Sequence, residues 1–320
     1  MKPVDPQEPE QDARVELPSP PSDVGAGFGV PAEKLGRFLL QEPVPAEEGW
    51  STFLAVDPVF EQEVVVHVAQ ERAFPDAAAR TQFEEAAEVA KTLSHPSIVP
   101  VVGAGKSELG SYIVYQQSPG IYLDQWLAQQ PGPLAGQSAA GLVQCLADAV
   151  QHAHQRGLLH RALSPAHILI DRSPASEDDD LSWFPTQVRI NHFALGSAQR
   201  WNPELAQDRP DALPYLSPEE RNRDVGTGST ADIYSLGAVL YRLSIGPLPP
   251  MLDLPWSDIL VGCSMNKPLQ TVCRKCLCKA PEDRYQTAFE LADELIQCYP
   301  DPSTAGRPGK GLKKILRWPR

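Results

Sequence analysis

From Leu35 to Gln117 the chain reads as short β-rich runs with one helical stretch, and after Ser118 it turns helical. This segregation constrains the fold most. It selects an α+β protein with a small sheet-rich lobe followed by a larger helical lobe, because a parallel doubly wound sheet would need strands and helices in alternation. FLL, STFLAV and EVVVHVA are separated by turn-forming or acidic pieces. Residues 77–93, AAARTQFEEAAEVAKTL, follow a helical period with Phe83, Ala86, Ala87, Ala90 and Leu93 on one side. HPSIVPVVGAG and SYIVYQ read as two further strands.

In the second part, AAGLVQCLADAVQHAHQRG forms a long amphipathic helix that ends at Gly157, a natural C-terminal cap. The loop LLHRALSPAHILID, Leu158 to Asp171, enters a short apolar strand, and QVRIN forms another. Between them the acidic insertion 173–187 reads as a surface loop. STADIYSLGAVLYRLSIG is an apolar helix expected to be buried on most faces, and PEDRYQTAFELADELIQ an amphipathic final helix with Pro281 at its start. The expected division is an acidic, Pro-rich disordered tail at 1–34, lobes at 35–117 and 118–300, and a basic tail at 301–320.

A net charge of −13 argues against nucleic acid as a partner, since a phosphate backbone needs a basic face. There is no apolar run of about 18 residues, the acidic start does not read as a signal peptide, and a cytoplasmic location is expected. The six cysteines make no disulfide scaffold in a chain this long. Cys273, Cys276 and Cys278 lie in a helical pattern with Leu269, Val272 and Leu277, so they are expected to act as small core hydrophobes.

Five motifs in series then point one way. HRALSPAHILI resembles H-R-D-L-K-P-x-N-I-L-I, RINHFALG resembles K-I-x-D-F-G-L, and PYLSPEE resembles P-Y-x-A-P-E. TADIYSLGAVLYRL and PEDRYQTAFEL resemble the two later signatures of the same family, so residues 35–298 look like a protein kinase domain of the bacterial Ser/Thr type. That resemblance implies a bilobal kinase fold with a small antiparallel sheet plus one helix above a mainly helical lobe.

The departures from the family are systematic. Phosphoryl transfer rests on positioning and charge neutralisation, so each slot has an electrostatic duty. Pro45, Glu47 and Trp50 stand in the three phosphate-loop glycine slots. Proline removes an N–H, glutamate repels phosphate, and tryptophan is expected to block its approach. His67 replaces the phosphate-gripping lysine, and Ala86 its helix glutamate, with Glu85 adjacent. Ala162 replaces the catalytic aspartate and Ser164 the nearby lysine. His167 and His192 occupy the magnesium-ligand slots, where imidazole suits a hard ion poorly, and Ala194 takes the glycine slot.

Residues the family uses to hold shape remain. Arg161 and Phe193 are kept, Glu219 and Arg284 resemble the buried ion pair below the activation segment, and Asp232 resembles the carboxylate bracing the HRD loop. Residues 198–216 contain no Ser or Thr, so an arginine-paired phosphate switch is not expected there. Tyr115 falls where kinases guard the back of the nucleotide pocket.

The pattern implies a pseudokinase, a non-catalytic interaction or regulatory module that binds a protein partner such as an active kinase or its substrate, with neither ATP nor magnesium expected. Two alternatives stay open: a weak or atypical Ser/Thr kinase that binds ATP, and a transition-metal or pH sensor built on His67, His167 and His192. Against the sensor stands the simpler reading, three polar side chains in a watery pocket. Residues 307–320 interleave Lys310, Lys313, Lys314, Arg317 and Arg320 with Leu312, Ile315, Leu316 and Trp318. They could lie on an anionic membrane surface or in an acidic partner groove, or remain a solvated basic end.

Overall fold

The structure, a computed structural model, describes residues 34–46, 49–171, 187–195, 212–222, 228–247 and 265–299. Glu47, residues 1–33, the whole basic tail, the acidic insertion up to residue 186 and residues 196–211 lie outside the described residues.

The small lobe is one antiparallel sheet. Its strands are β1 (Lys34–Leu35), β2 (Phe38–Val44), β3 (Trp50–Asp57), β4 (Gln62–Ala69), β5 (Val101–Ser107) and β6 (Gly110–Gln116), in the order β1-β2-β3-β4-β6-β5. Helix α1 (Ala77–Ala90) starts where Asp76 accepts a hydrogen bond from the Ala79 N–H, a side-chain cap for an otherwise unpaired donor. It buries Phe83, Ala87 and Ala90, as the 3.6-residue period requires. Strand alternation divides β4. Val64, Val66 and Val68 pack into a cluster with Leu35, Phe38 and Leu40, which turns His67 to the opposite face.

The large lobe begins with β7 (Ile121–Tyr122) and α2 (Leu123–Ala128), followed by α3 (Gly136–His154). Gly157 takes a φ of 75° beyond α3, the left-handed conformation that ends a helix cheaply only at glycine. Strands β8 (Ile168–Asp171) and β9 (Gln187–Ile190) form a hairpin on β7, and α4 (Pro218–Arg221), α5 (Ser229–Ser244), α6 (Lys267–Cys276) and α7 (Ala288–Cys298) follow. Helix α5 is buried on nearly every face. Cys273 and Cys276 are core residues of α6, whereas Cys278 lies past its end, is only partly buried, and donates its S–H to the Arg274 carbonyl.

The final helix is shorter than its sequence pattern. Pro281–Asp283 forms a separate turn, Arg284 is extended at ψ 175°, and α7 starts only after Thr287, which accepts from the Glu290 N–H. A tertiary contact breaks the run, since extending Arg284 delivers its guanidinium to buried partners.

One continuous core runs through both lobes, from Trp50 and Phe83 through Ile113, Leu146 and Phe193 to Leu236 and Leu295. Backbone pairing reinforces it: the Val99 N–H donates to Ile190 O at 2.9 Å and the Ile190 N–H to Ser97 O at 2.9 Å.

Candidate functional site

The loop between α3 and β8 is held from below by Asp232, in the first turn of α5. Its carboxylate accepts from the N–H of His160 (2.9 Å) and of Arg161 (2.7 Å), and pairs with His154 Nε2 at 2.7 Å. Burial alone would raise the Asp232 pKa, but the hydrogen bond and charge of His154 outweigh it and hold the carboxyl below its usual range. Arg161 is thereby kept at a φ of 67°, a conformation few side-chain-bearing residues adopt. His160 Nε2 meets Asn191 O at 2.9 Å, and the Asn191 N–H donates to His167 O at 2.8 Å. Loop and post-β9 turn are thus fastened together. Within that turn His192 and Ala194 also adopt positive φ, 65° and 76°.

Above this base the rings converge. His67 comes down from β4, His167 from the turn before β8, and His192 from the turn after β9. Edge-to-face contacts join His192 to His67 (centroids 5.1 Å apart), to His167 (5.6 Å) and to Tyr115 (5.6 Å), and His67 touches Tyr115 at 5.6 Å. Thr52 Oγ1 lies 3.0 Å from His67 Nδ1, and Ser164 Oγ lies 3.1 Å from His167 Nδ1. Burial pushes His67 down to about 4, and burial with the neighbouring His160 pushes His167 down to about 3. Burial and the surrounding imidazoles hold His192 well below its usual 6.5.

The geometry does not favour the sensor reading. A joint change of charge near pH 6.5 does not fit rings held neutral to much lower pH. The nitrogens also do not converge on a point: two are engaged by hydroxyls, the rings meet edge to face, and among the described residues no three His, Cys, Asp or Glu side chains are placed to hold a metal ion.

Tyr115 is fully buried, and its hydroxyl donates to the Phe193 carbonyl across the lobe boundary. Phe193 packs edge to face on His160 at 4.9 Å. Ala162 sits in the loop with only a methyl group to offer.

Other slots lie elsewhere. Pro45 is exposed at the end of β2. Trp50 does not stand in the path of a phosphate; its ring is buried edge to face against Phe83 (5.4 Å) and Phe74 (6.2 Å). Apolar burial of so large a ring outweighs any preference for the cleft. Ala86 packs at the edge of the core and Glu85 is exposed. Glu84 of the same helix accepts from Ser111 Oγ at 2.7 Å and pairs with Lys106 Nζ at 2.7 Å.

Far below, Arg284 meets Glu219 through two parallel bonds of 2.6 and 2.9 Å, while its remaining donors reach the carbonyls of Cys278, Lys279 and Thr230. Arg284 is 2% exposed, so the fork is almost fully desolvated yet satisfied.

Sequence reading did not single out Thr52, His160 or Tyr122, whose ring lies 6.4 Å from that of His192 and whose hydroxyl accepts from Asn191 Nδ2 at 3.3 Å. Thr52 faces His67 through the β3–β4 register, which one sequence does not reveal, whereas His160 immediately precedes Arg161 in HRALSPAHILI and is legible there.

A curled antiparallel sheet with one helix above a helical lobe, joined at a braced loop and a three-stranded hairpin sheet, is the architecture of a protein kinase. The comparisons agree. The protein kinase domain family matches residues 52–297, and the chain belongs to that family. It is 30% identical over 282 residues to serine/threonine-protein kinase PknB of Mycobacterium leprae, covering 82% of this chain and 42% of that protein. It is 25% identical over 276 residues to serine/threonine-protein kinase PrkC of Bacillus subtilis, covering 81% and 40%. The chain thus spans about two fifths of these relatives. The crystal structure of the Mycobacterium tuberculosis PknI kinase domain superposes with a TM-score of 0.64 at 24% identity, over 84% of this chain and 98% of that one. Among the described residues no helix is long and apolar enough to cross a membrane.

Proposed function

We propose that this kinase domain is a pseudokinase, a cytoplasmic module that keeps the fold and works by binding a protein partner, an active kinase or its substrate. One observation carries the reading. His67, His167 and His192, at the positions resembling the phosphate-lysine slot and both metal-ligand slots, meet edge to face with one another and with Tyr115, and burial disfavours their charged form. A neutral ring in contact with its neighbours cannot supply the cation that steadies a nucleotide phosphate, and imidazole nitrogens are poor donors for magnesium. This donor set therefore does not fit Mg-ATP. Ala162 provides no atom to accept a proton from a substrate hydroxyl.

Energy has instead been retained in the frame: the Glu219–Arg284 fork and the Asp232 brace organise the large lobe without needing a ligand. The test is thermal unfolding with and without ATP plus Mg²⁺ or Mn²⁺, together with transfer of labelled phosphate. No stabilisation and no transfer are expected. Stabilisation of about 2.7 kcal/mol at a hundredfold excess over Kd, with transfer abolished by Ser164→Ala or His167→Ala, would establish the weak-kinase alternative. Partner identity follows from cross-linking in the native cell.

A further inference from the structure

A groove of about 480 Å³ runs along the small lobe between α1 and the β5–β6 hairpin, away from the histidine cleft. Its floor is apolar, with the partly exposed Val89, Ala104 and ring of Tyr112 set over the buried Phe83 and Ala87. Gly105 keeps that floor low: an added Cβ would sit 3.0 Å from the Tyr112 hydroxyl. Three acids of one helix line the wall, Glu84, Glu85 and Glu88, against one lining base, Lys106. Lys106 is bound to Glu84, Lys91 pairs with Glu88, and Arg80 contributes at a distance to Glu84 and stacks over Phe74. Glu85 is exposed and has no ion pair among the described residues.

We propose that residues 307–320 of the same chain dock in this groove. The two are complementary in both respects that matter. Leu312, Ile315, Leu316 and Trp318 would cover the apolar floor, while Lys313, Lys314 and Arg317 would face the acidic wall. In a helical arrangement, positions 312, 315 and 316 fall on one side.

The tail can also reach. Tyr299, the last described residue, lays its hydroxyl against Gly136 at the start of α3, and His152 near the end of α3 packs 5.4 Å from His95, just beyond α1. The length of α3, about 28 Å at 1.5 Å per residue, therefore separates the tail's origin from the end of α1. Residues 300–311, when extended, span about 40 Å. Tethering then supplies an effective concentration that free peptide or lipid lacks. The inference does not depend on whether the domain transfers phosphate.

Hydrogen exchange on the full chain tests it. In the natural protein, amides of 312–318 and of α1 should exchange at least about tenfold more slowly than in a groove variant, Glu85→Lys with Glu88→Lys, or a tail variant, Lys313→Glu with Lys314→Glu. Combining all four substitutions should restore protection, because the charges are then swapped rather than removed. The substituted acids are exposed, and unchanged melting temperatures confirm that the variants fold. Tail amides exchanging at the intrinsic rate in the natural chain would overturn the proposal. So would protection that ignores the groove charges, that fades on dilution and so belongs to a second copy, or that arises only with anionic vesicles.

Discussion

At the residue scale, neutrality of the buried histidines makes stability depend on pH. His67, His160, His167 and His192 are all pushed below the ordinary value by burial, to about 4 for His67 and about 3 for His167. Above pH 6.5 neither the folded nor the unfolded chain protonates them, and their contribution is fully present. As pH falls below 6.5 the unfolded chain takes up protons that the folded one refuses, so stability is lost until each folded pKa is reached. The slope is about 1.4 kcal/mol per pH unit for each such histidine. Urea midpoints measured from pH 7.5 to 5 should therefore fall, and His192→Phe should flatten the curve; a flat natural profile would contradict buried neutral rings. The Tyr115 hydroxyl belongs to the same scale. Tyr115→Phe leaves the Phe193 carbonyl without its donor and should cost about 1–3 kcal/mol by chemical denaturation, with faster amide exchange after β9.

At the scale of elements, helix α5 owes its place to a missing side chain. A Cβ added at Gly237 would lie 2.3 Å from the Cβ of Cys276, so the backbone of α5 touches α6 directly. Gly237→Ala improves helix propensity yet should destabilise by about 1–3 kcal/mol through overpacking, read as a lower melting temperature; a gain would mean that the two helices separate easily. The start of α7 depends on a different interaction. Removing both carboxylate acceptors with Glu219→Ala leaves the desolvated guanidinium without its counter-charge and should cost about 3–5 kcal/mol. Arg284→Lys should cost nearly as much, since an ammonium cannot serve both carboxylate oxygens and three carbonyls at once. Equal stability of that variant in denaturant would show that charge alone suffices.

For the whole molecule, the shared core and the Val99–Ile190 pairing predict that the lobes unfold together. Calorimetry should give one transition whose calorimetric and van't Hoff enthalpies agree, and two resolved transitions would show that the lobes are energetically separate. Much of this architecture was legible along the chain. Alternation and helical period expose elements one at a time, and HRALSPAHILI, RINHFALG and TADIYSLGAVLYRL carry the family and the places where its reactive groups would stand. Local pattern failed where a distant partner decides the outcome. The helix drawn through PEDRYQ breaks because Arg284 must reach Glu219, and Trp50 turns from the cleft because Phe74 and Phe83 offer it a buried surface. The three histidines show the division most clearly. The sequence by itself determined that imidazoles stand at three positions where the family motifs it resembles carry a lysine and two oxygen ligands, since residue identity at a motif position is a local fact. Only the tertiary structure decided that they meet edge to face, lose their solvent and resist protonation, because desolvation and ring contact arise from chain segments that meet only on folding.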